Sequence, residues 1–226
     1  ENTNNTEEDC FDLLSDENYI DSLIQKYWFL TDEIKNTKIY YPLEGYLFPD
    51  TYEFLNKNVT VEEIFEKMLD NTGVKLEPLK QEIEASGYTV HEILTFASIV
   101  ELEGASSDDR ASVAGVFYNR LNAGWTLGSD ITGYYGAKMD DWSNGLGVHI
   151  NDCNGYNTRG TCVIGLPVGP VCNPGVESIE ATINPTVHDY YYFVADCSGK
   201  TYLNKNSSGH EATINKLIRD NNWCDS

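Results

Sequence analysis

The stretch VHEILTFASIVELEG, residues 90–104, decides the fold, because its apolar side chains cover almost every side of a helix. Thr89 stands immediately before it, where a hydroxyl can accept a hydrogen bond from a free amide of the first turn, and Gly104 is a typical helix stop. A helix that is apolar all round is buried inside a domain. The sequence therefore predicts a central helix on which the other elements pack.

Further helices are expected around this central one. Apolar residues recur at helical spacing in four other segments, which are 11–30, 61–70, 76–86 and 108–124. The segment KIYYPLEGYLFPDTYEF, residues 38–54, is different, because two prolines and a glycine interrupt any helical period. We expect a strand edge and a loop there.

The second half of the chain differs in composition. From Trp125 onward Gly, Asn, Asp, Tyr and Pro are frequent, and few stretches long enough for a helix are expected before HEATINKLIRDNNW, residues 210–223. The β-prone run DYYYFVAD (189–196) predicts a strand, and KTYLN (200–204) is its expected partner across a turn. Helices followed by strands and long loops indicate an α+β fold with a mixed or antiparallel sheet, and not a repeated βαβ unit.

Charge and length exclude several classes of function. The 226 residues suffice for one good-sized domain, and 36 acidic against 15 basic side chains give a formal net charge of −21. A field of that sign repels nucleic acid and anionic membrane surfaces, so neither is an expected partner. The sequence has no run of about 18 apolar residues that would span a membrane.

The cysteines favour disulfide bonds in an oxidising compartment. They form an even set without a CxxC pair or a histidine cluster at zinc spacing, so we expect neither a metal site nor a cofactor. Gly- and Asn-rich sequence surrounds four of them. The six are Cys10, Cys153, Cys162, Cys172, Cys197 and Cys224.

Two carboxylates, Glu101 and Glu103, interrupt the apolar helix. Glu101 lies on the same face as Leu94 and Ala97, so we expect its carboxyl to be partly desolvated and its pKa to rise toward the range of a proton donor. Glu103 lies on the other side of the helix, beside Phe96, and could be the acid instead. Spacing alone does not choose between them, and a glutamate near a helix end is more often solvated or ion-paired.

Six motifs follow one another along the chain. They are LEGYLFPDTYEF (43–54), HEILTFASIVELEG (91–104), RASVAGVFYNRLNAGWTLGSD (110–130), YNTRGTCVIGLPVGPVCNPGVESIEATINP (156–185), DYYYFVAD (189–196) and GHEATI (209–214). Together they closely resemble the endolytic murein transglycosylases, the MltG or YceG-like family. The resemblance covers about Tyr40 to Ile218 and implies the YceG-like catalytic fold.

The resemblance implies an enzyme that cleaves peptidoglycan glycan strands. It places the catalytic glutamate at the first acidic residue after Ala-Ser-Ile-Val, which is Glu101. It implies a lyase that breaks the bond between N-acetylmuramic acid and N-acetylglucosamine and leaves a 1,6-anhydro-N-acetylmuramic acid end. One acid/base suffices, because the sugar's own 6-hydroxyl replaces water as the nucleophile and its acetamido group can stabilise the developing cation.

The same motifs imply groups that hold the sugar by neutral hydrogen bonds. The matching positions are Asn119, Ser129, Asp130, Tyr156, Asn157 and Thr158. Some of them also have a structural interpretation, since Asn119 can buttress a helix end, Asp130 can cap a turn and Asn157 can serve the backbone of a loop.

Some positions depart from the family pattern. Ile131 stands where proline is common, and Lys200 where a histidine is frequent. The cysteines Cys153, Cys162 and Cys172 are insertions relative to that pattern, and we expect them to staple the loops on the substrate side.

The chain is expected to divide near residue 38. Residues 1–38 are interpreted as a disordered start and the tail of a small LysM-like region, and residues 39–226 as the YceG-like catalytic domain. The resemblance also implies a membrane anchor outside this chain, action on the outer face of the cell membrane, and proteins of cell-wall synthesis as candidate partners.

Two other functions stay open. A noncatalytic glycan-binding protein of the cell wall could keep the same fold, because aromatic rings pack on sugars in either case. A lysozyme-type hydrolase would need a second carboxylate to activate water, and Asp130 is the candidate for that role.

Overall fold

The computed structural model describes residues 3–104, 106–143 and 145–224. Within these ranges the α-helices and β-strands are α1 (Glu7–Leu14), α2 (Glu17–Lys26), α3 (Val61–Leu76), α4 (Lys80–Ser86), α5 (Val90–Glu103), α6 (Ser107–Asn122), α7 (Asp130–Gly136), α8 (Val176–Ile183), β1 (Tyr192–Ala195), β2 (Thr201–Asn204) and α9 (Ser207–Arg219). Three short 3-10 helices cover Asp32–Lys35, Glu77–Leu79 and Gly147–Asn151. Many helices and one small antiparallel sheet confirm the predicted α+β class.

Helix α5 is the predicted central helix. Thr89 accepts a hydrogen bond from the amide of Glu92, whose side chain binds back to the Thr89 amide, so the first turn begins with a capping box. Every residue from Ile93 to Val100 is buried, and α5 packs against α6 and α8. The helix ends at Glu103, and this position brings its last turn to the edge of the core.

Strands β1 and β2 form the predicted hairpin. Their register pairs Phe193 with Leu203 and Val194 with Tyr202. Helix α9 packs against both strands, and Val194 and Leu217 are buried there. Long loops rather than further strands make up most of residues 137–191, as far as the structure describes them.

One local expectation was wrong, and another lacked detail. Residues 38–54 form consecutive turns instead of a strand edge, and the Asn173 side chain accepts hydrogen bonds from the amides of Gly45 and Leu47. Helices α7 and α8 lie in the segment where few helices were expected. Both are short and largely buried, so tertiary packing stabilises them more than local propensity does.

Two helices, α1 and α2, lie within residues 7–26. Thr6 caps α1 through a capping box with Asp9, and α2 places Tyr19 and Leu23 in the same hydrophobic cluster as Leu94 of α5. The division of the chain near residue 38 remains a prediction. No helix among the described residues is long and apolar enough to cross a bilayer.

Four cysteines form the expected disulfide bonds, Cys153 with Cys162 and Cys197 with Cys224. The first of these closes a loop that contains residues 156–160. Cys172 does not staple a loop, because it is a free thiol in contact with the carbonyl of Ser98.

Candidate active site

Glu103 is the carboxyl that the fold places in an unusual environment. The Ser129 hydroxyl donates a 2.6 Å hydrogen bond to its Oε1 atom. Burial raises the pKa of Glu103 above its ordinary value, and the nearby Asp130 charge adds to the effect. The Ser129 hydrogen bond and the charges of Arg120 and Arg159 oppose this increase. The residue as a whole is half-buried, so part of its surface is exposed at the end of α5.

A small network of hydroxyls fixes Ser129 behind this carboxyl. The Ser129 amide donates to Thr158 Oγ1 at 3.2 Å, and Thr132 Oγ1 lies 2.8 Å from both Thr158 Oγ1 and the Ser129 carbonyl oxygen. The Thr158 amide donates to Thr132 Oγ1 at 3.0 Å. All three residues are buried. The hydroxyl that meets Glu103 is therefore held in place before any ligand binds.

Glu101 has a different set of partners. Its Oε1 atom accepts a 2.8 Å bond from Arg110, and its Oε2 atom accepts bonds from the Ser178 hydroxyl at 2.7 Å and the Gly175 amide at 3.1 Å. Arg110 also binds Glu177 at 2.7 Å. These contacts tie the end of α5 to α6 and to the first turn of α8, and each of them is a bond to a carboxylate.

Aromatic rings flank the region around Glu103 on the described surface. The Trp125 ring lies 6.2 Å from Tyr192, and both line an open groove of about 320 Å³ together with Arg120 and Arg159. In a second pair, Tyr134 stacks on Trp142 with ring centroids 5.2 Å apart.

Burial raises the pKa of the Tyr134 phenol, and the charges of Asp130 and Glu103 raise it further. The pair of Tyr134 and Trp142 therefore lies in the same region as Glu103. The indole rings of Trp125 and Trp142 are exposed. Exposed flat rings beside a carboxyl form a surface on which sugar rings can pack.

The structure brings together some of the residues that the motifs indicated. Ser129, Asp130 and Thr158 lie around Glu103, with Asp130 exposed and paired with Arg159 at 2.8 Å. Thr158 has no exposed surface, so it supports Ser129 and does not face the groove.

The other three indicated residues hold loops in place. The Asn157 amide donates to three backbone carbonyls of residues 149–152, and its side chain, like that of Tyr156, is fully buried. The Tyr156 hydroxyl accepts a bond from the Tyr40 amide at 3.1 Å. The Asn119 amide donates to the carbonyls of His188 and Tyr190. These hydrogen bonds indicate that Asn119, Tyr156 and Asn157 stabilise the loops that form the walls of the site.

Sequence reasoning missed the two arginines and Trp125. Arg120 and Arg159 lie within the quoted motifs, but nothing in their spacing shows that residues 39 positions apart line one groove. Trp125 gave a weak signal, because it lies in a polar, Gly-rich segment and binding residues are frequent in loops.

Fold and site define an α+β domain whose central helix ends in a half-buried carboxyl beside an aromatic groove. A sequence model of the YceG-like family matches residues 2–216, nearly the whole chain. The chain therefore belongs to the YceG-like family.

Curated relatives give this family assignment further detail. An endolytic murein transglycosylase of Bacillus subtilis is 36% identical over 211 residues, which cover 92% of this chain and 58% of the relative. One from Streptococcus pneumoniae is 36% identical over 208 residues, covering 89% of this chain and 37% of the relative. The chain thus spans between about a third and three fifths of the relatives' length.

A crystal structure of a YceG-like protein from Listeria monocytogenes has the same fold. The two superpose with a TM-score of 0.86 at 33% sequence identity, covering 92% of this chain and 68% of that one. The agreement confirms the YceG-like fold that the motifs implied.

Proposed function

We propose that the chain is the catalytic part of an endolytic peptidoglycan lytic transglycosylase, a lyase that needs neither metal nor cofactor. The observation that carries the proposal is the environment of Glu103. This half-buried residue lies beside an aromatic groove, and burial raises the pKa of its carboxyl. The relatives described above bear the name of this activity. The substrate would be glycan strands of alternating N-acetylglucosamine and N-acetylmuramic acid.

The chemistry requires one group that first gives and then takes a proton. Protonated Glu103 donates to the glycosidic oxygen while the bond from that oxygen to C1 of N-acetylmuramic acid breaks. The resulting carboxylate then accepts the proton of the 6-hydroxyl as the hydroxyl oxygen bonds to C1. The products are a free N-acetylglucosamine hydroxyl and a 1,6-anhydro end, and water takes no part.

We assign the acid role to Glu103 although the motif comparison indicated Glu101. Both carboxyl oxygens of Glu101 are already engaged, Oε1 by Arg110 and Oε2 by Ser178 and the Gly175 amide. It must lose these bonds to reach a substrate. Glu101 as the acid stays a prediction from the sequence, and the paired variants in the Discussion test it.

A lysozyme-type hydrolase is the second candidate, and one observation favours it. Asp130 is a carboxylate close enough to Glu103 to affect its pKa, and about half of its side chain is exposed. Such a group can activate water. Its pairing with Arg159 favours a positioning role instead.

Product analysis tests the proposed function directly. Purified peptidoglycan strands are digested with the protein, and the fragments are analysed by mass spectrometry. We expect fragments that end in 1,6-anhydro-N-acetylmuramic acid. Reducing ends, which are heavier by one water, would favour the hydrolase, and binding without cleavage would favour a noncatalytic glycan-binding protein.

The wider setting is also a proposal. The activity places the domain outside the cytoplasm, at the outer face of the cell membrane, where disulfide bonds persist. The longer relatives leave room for a membrane anchor in the full-length protein. Proteins of cell-wall synthesis are candidate partners.

Ser129→Ala is expected to move the pH profile of kcat. The Ser129 hydrogen bond holds the pKa of Glu103 below the value that burial alone would give, so its loss raises that pKa. The acid then stays protonated to higher pH, and the basic limb of the profile moves upward. Loss of one positioning bond of about 1 kcal/mol lowers kcat at the optimum about fivefold.

Ser178→Ala is the matched control for this experiment. Ser178 donates to Glu101 at 2.7 Å, much as Ser129 donates to Glu103 at 2.6 Å. If Glu101 were the acid, the Ser178 variant would move the profile and the Ser129 variant would not. Initial rates across the acidic and neutral pH range decide between the two.

A further inference from the structure

The groove next to Glu103 is lined by cationic side chains in a strongly acidic protein. Its lining residues are Arg120, Trp125, Thr126, Gly128, Arg159 and Tyr192, among which there is no acidic residue. The formal charge of the chain is −21, so a groove with two arginines is opposite in charge to the chain as a whole. Gly128 precedes Ser129, and this connects the groove to Glu103.

The arginines keep positive charge available for a ligand. Arg120 donates to the carbonyls of Tyr191 and Leu127, which are neutral acceptors. Arg159 donates to the Gly128 carbonyl at 3.3 Å and forms an ion pair with Asp130 at 2.8 Å. Of the contacts described for these two guanidinium groups, one is to a carboxylate, that of Asp130 with Arg159. The side chains that line the groove therefore include two cations and no carboxyl group.

An apolar platform lies beside this charge. The Trp125 side chain is 44% exposed, and the Arg120 guanidinium lies 5.7 Å from the centre of the Tyr192 ring. A flat indole next to fork-shaped donors suits a sugar ring that carries an anionic substituent.

We propose that this groove binds a carboxylate of the glycan strand, with Arg159 as its outer contact and Trp125 against the sugar ring. The inference rests on the proposed function and specifies its substrate. The carboxylate has two chemical sources in peptidoglycan. One is the lactyl group of an N-acetylmuramic acid without its peptide, and the other is the peptide stem.

Four substrates show whether a free carboxylate improves binding and which part of the strand supplies it. They are strands without peptides, the same strands with their carboxyls amidated, strands with intact stems, and stem-bearing strands with amidated carboxyls. An exposed ion pair contributes up to about 1 kcal/mol, and a forked one somewhat more, so we expect a KM about three- to tenfold lower for a free carboxylate than for its amide.

Arg159→Gln should abolish this preference for the free carboxylate. Arg159→Lys should keep only part of it, because an ammonium lacks the two-pronged geometry. Arg219→Gln is the matched control, since Arg219 is an exposed arginine at the end of α9 and its loss changes the net charge equally. This control should retain the full preference.

Each outcome is decisive. A preference in the peptide-free pair identifies the lactyl group as the source, and one confined to the stem-bearing pair identifies the peptide, and both support the proposal. Equal KM values in both pairs, or a preference that survives Arg159→Gln, would overturn it. Calorimetric binding of the same four substrates gives the answer even if the protein cleaves none of them, which would refute the proposed function alone.

Discussion

Replacing Glu103 with glutamine is expected to abolish cleavage of glycan strands. The amide has nearly the same shape as the acid, and its oxygen can still accept the Ser129 hydrogen bond, so the fold should be preserved. The amide cannot donate a proton to the leaving oxygen or take one from the 6-hydroxyl. General acid–base catalysis contributes about 10²- to 10⁴-fold for one group, and both steps use this group, so we expect a loss of at least about 10³-fold. Anhydro ends released per hour, counted by mass spectrometry, measure it.

Glu101→Gln is the matched variant, two residues earlier on the same helix. We expect it to retain cleavage within about tenfold of the parent. Its main effect should be on stability, because Arg110 and Ser178 would lose a charged partner that links α5 to α6 and α8. The free energy of unfolding should fall by about 1–3 kcal/mol. An inactive Glu101→Gln together with an active Glu103→Gln would refute our assignment and restore the one made from the motifs.

The choice between these two glutamates shows where sequence reasoning stops. Helix periodicity predicted that both carboxyls interrupt an apolar helix, and α5 has the predicted ends. Their difference arises from partners far along the chain. Ser178 lies 77 residues from Glu101, and Ser129 lies 26 residues from Glu103. Local patterns carry no information on such contacts.

Polar loop residues are ambiguous for another reason. An asparagine in a loop has the same appearance in sequence whether it binds a sugar or satisfies backbone groups. Asn157 donates to three carbonyls and accepts from two amides, which occupies its amide group completely. Only the structure separates the two roles.

Elements with strong local signals were predicted well, and short tertiary elements were not. The hairpin of β1 and β2 follows from β-prone runs across a turn, and Thr60 and Thr89 form the capping boxes that begin α3 and α5. Helix α8 has only eight residues, and the Gly175 amide at its start binds Glu101. Its formation depends on α5 and α6 packing against it, so its own residues give a weak signal.

Gly45→Ala is expected to cause a large loss of stability. Gly45 has φ +86°, a conformation that costs other residues about 1–2 kcal/mol. A Cβ atom there would also lie 2.3 Å from the Pro170 ring, which cannot turn away as a flexible chain would. Overpacking of this kind adds about 1–3 kcal/mol, so the free energy of unfolding should fall by about 2–5 kcal/mol in urea titrations.

Gly87→Ala separates backbone strain from the collision. Gly87 has φ +79°, close to that of Gly45, but no atom lies within 4 Å of the position that its Cβ atom would take. We expect a loss of only about 1–2 kcal/mol there, from strain alone. Equal losses in the two variants would mean that Pro170 moves aside without cost. The larger loss at Gly45 would instead show that the 38–54 turns and the loop before α8 pack closely, although neither contains a long regular element.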